Sequence, residues 1–239
     1  MPEFDNTKYD LPSDMADNSK LNKLRAAVLG ANDGIVSISS VVMGVAGATS
    51  DTKAISLAGL AALVAGALSM AVGEYVSVSS QSDAEKAYIR EEQKDLKENP
   101  DYELDELARE YIKHGVSSKL AHQVAAELTK NDALKAHLRM HFNIDPDDIN
   151  NPWHAAVASL LAFTAGGIVP FLTIVLLPES IRIPATVAGV LVSLIGVGYL
   201  SAQAGNAGKT RAVLRVVSGG LAAMTVTYFV GVLFGTAVG

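Results

Sequence analysis

The segment Gly66–Glu98, GALSMAVGEYVSVSSQSDAEKAYIREEQKDLKE, decides how this chain folds. Its first half is apolar and rich in small residues, whereas most residues from Asp83 onward are charged. Neither proline nor glycine interrupts it after Gly73, so it predicts one helix that leaves a membrane and continues into water. Because proline cannot continue the preceding helical turn, this helix is expected to end at Asn99-Pro100.

Five stretches of the chain are long and uncharged enough to cross a bilayer, which takes roughly 20 residues. They are residues 26–50, where Asp33 is the one ionisable side chain, and residues 54–73, 155–178, 183–208 and 216–239. The whole chain of 239 residues is 49% hydrophobic, with a mean hydropathy of +0.27. A soluble protein with buried helices is the alternative, but five such runs in one chain favour membrane spans.

The predicted fold is an all-α polytopic membrane protein with five transmembrane helices and a cytoplasmic helical insert between helices 2 and 3. Its predicted parts are a flexible cytoplasmic tail (1–20), transmembrane helices 1 and 2 (21–80), an acidic helical metal-binding domain (81–150) and transmembrane helices 3 to 5 (151–239). We expect a multi-pass protein of the cell membrane with its C-terminus on the far side.

This orientation follows from basic residues, which concentrate on the cytoplasmic side of membrane proteins. They flank the first span and the link between spans four and five, at Lys20, Lys23, Arg25, Lys209, Arg211 and Arg215, whereas the opposite side offers Lys53 and Arg182. Residues 1–19 are polar and acidic, which is unlike a secretory signal peptide. The sequence has no cysteine, which excludes disulfides, thiolate metal sites and cysteine nucleophiles.

The block between the second and third spans carries the negative charge of the protein. Residues 81–152 contain 16 Asp and Glu against 10 Lys and Arg, which equals the formal charge of −6 of the whole chain. After the first helix we expect a second that Gly115 ends, a third capped by Ser117 or Ser118, and a fourth that starts at Asp132. This excess of negative charge predicts a cationic ligand for this block.

Carboxylates in this block repeat at helical spacing. Glu85, Glu92 and Asp95 share one face of the first helix, while one face of the second carries Glu103, Glu106 and Glu110. If the helices form a hairpin at Asn99-Pro100, the two faces meet, and a divalent cation such as Fe²⁺ or Mn²⁺ would relieve their repulsion. A solvated acidic surface is the alternative interpretation.

Two histidines of the fourth helix also have metal-ligand spacing. His137 and His141 lie at i and i+4, on one face of that helix. The alternative is that both histidines lie on the protein surface and bind no metal, and the sequence leaves the choice open.

Three side chains inside the first two spans are predicted to share one depth in the membrane. Asp33 lies about 12 Å along the helix from Arg25, and with a boundary near Ser80, Glu74 lies about 9 Å and Met70 about 15 Å inside. Buried charges in spans usually line a pathway. Two carboxylates and a thioether suit a transition metal, and the carboxylates can take up protons when the metal leaves.

Each of these three residues also has a structural interpretation. Asp33 and Glu74 could form buried hydrogen bonds, and Met70 could serve packing alone. Gly30 and Gly34 lower the helix surface beside Asp33, so that a partner helix or a dimer mate can close on it. The neighbouring Asn32 is either a neutral ligand or a hydrogen-bonding neighbour.

The motifs GANDGIVS at the first span, GALSMAVGEYVSVSSQ followed by DAEK at the second, and NDALKAHL in the insert resemble the vacuolar iron transporter family. The resemblance covers nearly the whole chain from Leu21. It implies a homodimer of five-span subunits that exports Fe²⁺, often also Mn²⁺, in exchange for protons. It also implies that Asp33, Met70 and Glu74 line the path, and that Glu92, Glu103 and Glu106, together with Glu85, bind metal in the insert.

Two residues depart from that family pattern. Asp95 stands where the pattern favours Glu, and His141 stands near a usual carboxylate. The insert is therefore expected to bind Fe²⁺ more weakly or to tolerate Zn²⁺ better, because imidazole suits zinc.

The leading hypothesis is a proton-coupled antiporter that is not an enzyme, with metal ions, protons and lipid as partners and no nucleic acid. Alternatives are a ferroxidase-like membrane protein, disfavoured because the sequence lacks the Glu-x-x-His pattern of di-iron sites, and a metal sensor without transport. The sequence leaves open the preference between Fe²⁺ and Mn²⁺, the proton stoichiometry, and whether the insert gates, captures or stores metal.

Overall fold

The computed structural model describes residues 18–205 and 207–238, so the predicted tail lies outside the described residues up to position 17. In the described part, regular structure is entirely helical. The helices are α1 (Asn18–Ala48), α2 (Thr52–Glu98), α3 (Pro100–Lys113), α4 (Ser118–His137), a π-helical turn (Leu138–Phe142), α5 (Pro152–Leu176), α6 (Glu179–Ala204) and α7 (Lys209–Val238). Five of them, α1, α2, α5, α6 and α7, are long and apolar enough to span a membrane. The all-α prediction is confirmed for the described residues, and the number of helices able to span a membrane equals the predicted five.

The described chain divides into two compact units. The membrane unit comprises the described residues up to Tyr75 and from Trp153 onward, and the acidic unit is Val76–Pro152. As predicted, α2 runs through its apolar and charged parts without a break and ends at Glu98, before Asn99-Pro100.

The core of the membrane unit surrounds α1. Ile35, Ile38 and Val42 of α1 are fully buried, and they belong to one apolar cluster with Phe163 of α5 and Leu194 of α6. Helix α1 packs against α6 and α7, and α6 also packs against α7. The helix that carries Asp33 is thus the central one of this unit.

Glycines let α1 approach its neighbours at backbone distance. A Cβ atom added to Gly34 would overlap the carbonyl oxygen of Phe163, and one added to Gly166 would overlap that of Ala31. Towards the other end of α1, a Cβ atom on Gly231 of α7 would overlap the carbonyl oxygen of Gly44. The partner that closes on Gly34 is therefore α5 of the same chain, as small residues at helix crossings allow.

Arg182 ties the start of α6 to the link between α1 and α2. It is 3% exposed; its Nη1 donates to Thr52 Oγ1 at 3.1 Å and its Nη2 to the Ser50 carbonyl at 2.9 Å. Its place in the sequence predicts a charge that flanks a span, whereas in the structure Arg182 is buried and joins two segments.

Local signals set the helix ends of the acidic unit. Helix α3 begins at Pro100 and is followed by Gly115, whose φ of +91° suits a residue without a Cβ atom. Ser117 occupies the N-cap position of α4, although its side chain makes no capping hydrogen bond. Leu107, Ala108, Ala121 and Ala125 form the small core between α3 and α4.

The predicted fourth helix begins where α4 is broken. Asp132 has non-helical φ and ψ of −160° and 92°, and its Oδ1 accepts the backbone N–H of Lys135 at 2.9 Å. This is the geometry of an N-cap. A new helical segment therefore starts at Asp132, as expected, and it carries His137.

That segment ends in a π-helical turn, which no pattern in the sequence predicts. The turn covers Leu138–Phe142, and Asn143 closes it in the left-handed conformation with its N–H bonded to the Leu138 carbonyl. The ring of Phe142 stacks on Tyr88 of α2 with centroids 4.5 Å apart. The turn is thereby anchored to the same helix that carries Glu92.

Candidate metal centre

Three buried side chains of the acidic unit converge from three helices. Glu92 comes from α2, Glu103 from α3 and His137 from the last residue of α4, and each offers a ligand atom within 4.8 Å of the others. Their exposed fractions are 7%, 6% and 0%. A buried group of two carboxylates and an imidazole is a potential metal site.

The hairpin at Asn99-Pro100 explains why the two carboxylates meet. Glu92 lies two helical turns before Asn99-Pro100, and Glu103 lies one turn after it. The helix faces that carry the two carboxylates are therefore opposed. His137 joins them because the segment capped by Asp132 is packed through Leu138, which is fully buried. The spacing in the sequence pointed to all three residues.

The ligand atoms are close together but do not bond to one another as donor and acceptor. His137 Nδ1 lies 2.8 Å from Glu92 Oε1 and 3.5 Å from Glu103 Oε2. Nevertheless, within the described part of the chain, Glu92 Oε1 and both ring nitrogens of His137 have no hydrogen bond of acceptable geometry. Atoms that are near but misaligned for hydrogen bonding fit ligands around a shared cation, and such orphaned buried groups require an explanation.

The electrostatics of this group disfavour charge when no cation is present. Burial, with the neighbouring charges of Glu103 and Glu106, raises the pKa of Glu92 to about 7. Burial also raises the pKa of Glu103 and lowers the pKa of His137. A bound divalent cation would offset these effects, since it favours ionised carboxylates and neutral imidazole.

The other predicted ligands of the acidic unit lie outside this three-residue group. The charges of Asp95 and Glu106 contribute to the raised pKa of Glu92, so both lie nearby. Glu85 accepts a hydrogen bond from Gln81 Nε2 at 2.8 Å. The ring of His141 stacks on that of His137 with centroids 5.4 Å apart and planes inclined by 27°.

In the membrane unit, Asp33 is half-buried on α1 and accepts a hydrogen bond from Ser37 Oγ at 2.8 Å. Ser37 was not among the predicted site residues, although its i+4 spacing from Asp33 is the signal that would have identified it. Met70 packs at the edge of the apolar cluster, and Glu74 is half-buried on α2. The shared layer of Asp33, Met70 and Glu74 stays a prediction.

Asn32, which the sequence predicts to be either a neutral ligand or a hydrogen-bonding neighbour, has an unusual environment. Its Oδ1 is buried and accepts no hydrogen bond within the described residues. Beside Asp33, this oxygen is available as a neutral acceptor.

This chain is similar to known proteins over most of its length. The model of the VIT family matches residues 24–232. A "Vacuolar iron transporter" of Acanthamoeba castellanii is 39% identical over 211 residues, covering 88% of this chain and 78% of the relative. "Vacuolar iron transporter homolog 2" of Arabidopsis thaliana is 36% identical over 234 residues, covering 96% and 95%. "Vacuolar iron transporter homolog 1" of Oryza sativa subsp. japonica is 38% identical over 213 residues, covering 89% and 74%.

Proposed function

Because this chain belongs to the VIT family, we propose that it is a proton-coupled antiporter that moves Fe²⁺, with Mn²⁺ as a second substrate, out of the cytoplasm. Membership indicates a metal-ion transporter rather than an enzyme. The observation that carries the finer proposal is the buried group Glu92, Glu103 and His137. Within it, Glu92 Oε1 and both ring nitrogens of His137 lack hydrogen bonds to described residues.

In this proposal the acidic unit captures metal on the cytoplasmic side. Its ligand set provides two oxygens and one nitrogen, which suits Fe²⁺ better than Ca²⁺ or Mg²⁺. Asp95, Glu106 and Glu85 are proposed as further carboxylate ligands during loading, and His141 is proposed to act through its stack on the His137 ring. The basic residues Lys135 and Arg139 do not oppose a cation there, because each pairs with Asp145.

The membrane pathway is proposed to run past Asp33, Met70 and Glu74. Both carboxylates are half-buried in spanning helices, where an ionised side chain is costly unless it serves a pathway or finds a partner. Metal binding between them displaces protons, and metal release lets them protonate again, which couples the two fluxes.

A homodimer is proposed on the basis of α2. Ala61, Ala65, Ser69, Gly73 and Ser77 recur every four residues along α2, and all five are exposed in the single chain. Small residues at this spacing permit close helix packing in lipid. We place the interface along this stripe, on the helix that carries Met70 and Glu74.

The proposed location is the cell membrane, with the N-terminus and residues 81–150 in the cytoplasm and the C-terminus on the opposite side. The support is the distribution of Lys and Arg beside the spans.

A flux assay tests the function directly. Purified protein is reconstituted into liposomes that contain a metal-quenched dye, and Fe²⁺ or Mn²⁺ is added across a pH gradient. We expect metal entry that dissipates the gradient, and we expect Asp33→Asn, which preserves side-chain size, to reduce entry to background. Asp148→Asn, at an exposed position of the acidic unit, is the matched control and should transport normally.

Two results would count against the proposal: no Fe²⁺ entry above that of empty liposomes, or wild-type rates for Asp33→Asn. Metal binding without flux would favour the sensor alternative, and Fe²⁺-dependent consumption of O₂ would favour the ferroxidase alternative.

A further inference from the structure

His137 has an environment that a structural histidine rarely has. Its side chain is completely buried, and neither ring nitrogen forms a hydrogen bond to any residue that the structure describes. A neutral imidazole carries one donor and one acceptor nitrogen, and buried polar atoms of this kind nearly always find a partner. The contact of Nδ1 with Glu92 Oε1 is short, at 2.8 Å, but it is not aligned as a hydrogen bond.

The position of the ring is fixed from several sides. The ring of His141 stacks on it, and the π turn that carries His141 is anchored by the stack of Phe142 on Tyr88. The capped start at Asp132 and the buried Leu138 hold the backbone on either side of His137. The imidazole is therefore presented to Glu92 and Glu103 in a fixed orientation.

A nitrogen among oxygen ligands changes which cations a site prefers. Carboxylate and carbonyl oxygens suit Mg²⁺, Ca²⁺ and Mn²⁺, whereas imidazole suits zinc, iron, nickel and copper. For similar ligands, affinity rises from Mn²⁺ through Fe²⁺ and Co²⁺. Replacing one oxygen ligand by a nitrogen therefore raises the affinity for Fe²⁺ and Co²⁺ relative to the affinity for Mn²⁺.

We propose that His137 is the specificity-determining ligand of the Glu92, Glu103 and His137 group, and that it makes this group favour Fe²⁺, Co²⁺ and Zn²⁺ over Mn²⁺. The inference rests on the proposed function, because it requires the group to bind metal. It goes further by assigning selectivity to one side chain. In this assignment His141 is a positioning residue that holds the His137 ring.

The test compares metal affinities of the full-length protein in detergent. All variants carry Asp33→Asn, so that binding in the membrane unit contributes little. Affinity for Zn²⁺ and Co²⁺ is measured by competition with a chromogenic chelator, and affinity for Mn²⁺ by the electron paramagnetic resonance signal of the free ion. His137→Glu supplies an oxygen in place of the nitrogen, His137→Gln keeps a polar side chain of similar size, and His122→Gln changes an exposed histidine of α4.

We expect His137→Glu to reduce the ratio of Zn²⁺ to Mn²⁺ affinity at least about tenfold, since losing even an outer-shell partner of a metal ligand typically costs this much. His137→Gln should lose Zn²⁺ affinity similarly, and His122→Gln should match the parent. X-ray absorption of the Zn²⁺-loaded parent should show imidazole scattering, with nitrogen at about 2.0–2.1 Å. That signature should be absent from both His137 variants.

The experiment distinguishes failure of the selectivity role of His137 from failure of metal capture by the group. An unchanged Zn²⁺ to Mn²⁺ ratio in His137→Glu and His137→Gln, with metal still bound through Glu92, would overturn the role of His137 and leave capture by carboxylates standing. If Glu92→Gln and Glu103→Gln leave all metal affinities unchanged, the group does not bind metal, and both the capture proposal and the inference are overturned.

Discussion

Glu92 is a carboxylate whose surroundings disfavour its ionised form. It is buried beside Glu103, and the charges of Glu106 and Asp95 also act on it. Burial and these charges raise its pKa from 4.5 to about 7. Without a cation, the ionised side chain therefore opposes folding, which indicates that the residue serves something other than stability.

We predict that Glu92→Gln stabilises the metal-free protein at alkaline pH. Because the pKa in the folded state is raised, the cost of ionising Glu92 is absent below about pH 4.5, grows between about 4.5 and 7, and is complete above that range. The variant should unfold at a higher temperature than wild type at pH 8, and the difference should shrink towards pH 5. A gain of about 1 kcal/mol corresponds to roughly 2–4 °C for a chain of this size.

The control is Glu91→Gln, which changes the adjacent exposed carboxylate and should leave the unfolding temperature nearly unchanged. Unfolding is followed by circular dichroism after treatment with a chelator, and Fe²⁺ or Zn²⁺ is then added. Metal should raise the unfolding temperature of wild type more than that of Glu92→Gln. A variant less stable than wild type at pH 8 without metal would contradict the prediction.

At the scale of helices, local signals predicted most boundaries. Asn99-Pro100, Gly115 and Asp132 each end or begin a helix through a mechanism that acts within a few residues: a missing N–H, a positive φ or a side-chain cap. The π turn was not predictable in this way. It depends on contacts between distant residues, such as the stack of Phe142 on Tyr88, and leaves no pattern of its own in the sequence.

The crossing of α1 and α5 yields a prediction about packing. Gly34→Ala should strongly destabilise the protein, because the added Cβ atom would overlap the carbonyl oxygen of Phe163 and backbone atoms cannot move aside cheaply. Gly196→Ala in α6 is the matched control, since its Cβ atom would meet nothing within 4 Å. Alanine is favoured over glycine in helices by about 1 kcal/mol, so this control should be neutral or slightly stabilising.

Both variants are compared by thermal unfolding and by the yield of monodisperse protein in detergent. Equal stability of Gly34→Ala and Gly196→Ala would show that the two helices do not approach as closely as described.

At the scale of the whole molecule, the sequence predicted the spans and the candidate ligands, but it could not say which ligands meet. Spacing put Glu85, Glu92 and Asp95 on one face with equal weight, and it treated His137 and His141 alike. The choice of Glu92 and His137 depends on how α3 and the π turn pack against α2, which is a tertiary property. Asp33 lies on α1, whereas Met70 and Glu74 lie on α2, so their grouping also depends on packing.

The proposed dimer predicts a specific cross-link. Because the sequence has no cysteine, Ser69→Cys introduces a single thiol into the exposed stripe of small residues on α2. Two copies that pack through this stripe should form a disulfide-linked dimer under mild oxidation in membranes. Val226→Cys, exposed on α7, is the control and should stay monomeric on a denaturing gel. Equal cross-linking of both variants would argue against an interface at α2.

The glycine contacts of α1 also bear on how the molecule moves during transport. Alternating access requires some spanning helices to shift relative to others, and helices shift most easily where side chains separate their backbones. Helix α1 meets α5 near Gly34 and α7 near Gly44 at backbone distance, so sliding or rotating it alone would drive carbonyl groups into the backbones of these two helices. We therefore expect α1, with Asp33, to be the stationary element of the transport cycle, while the helices around it rearrange.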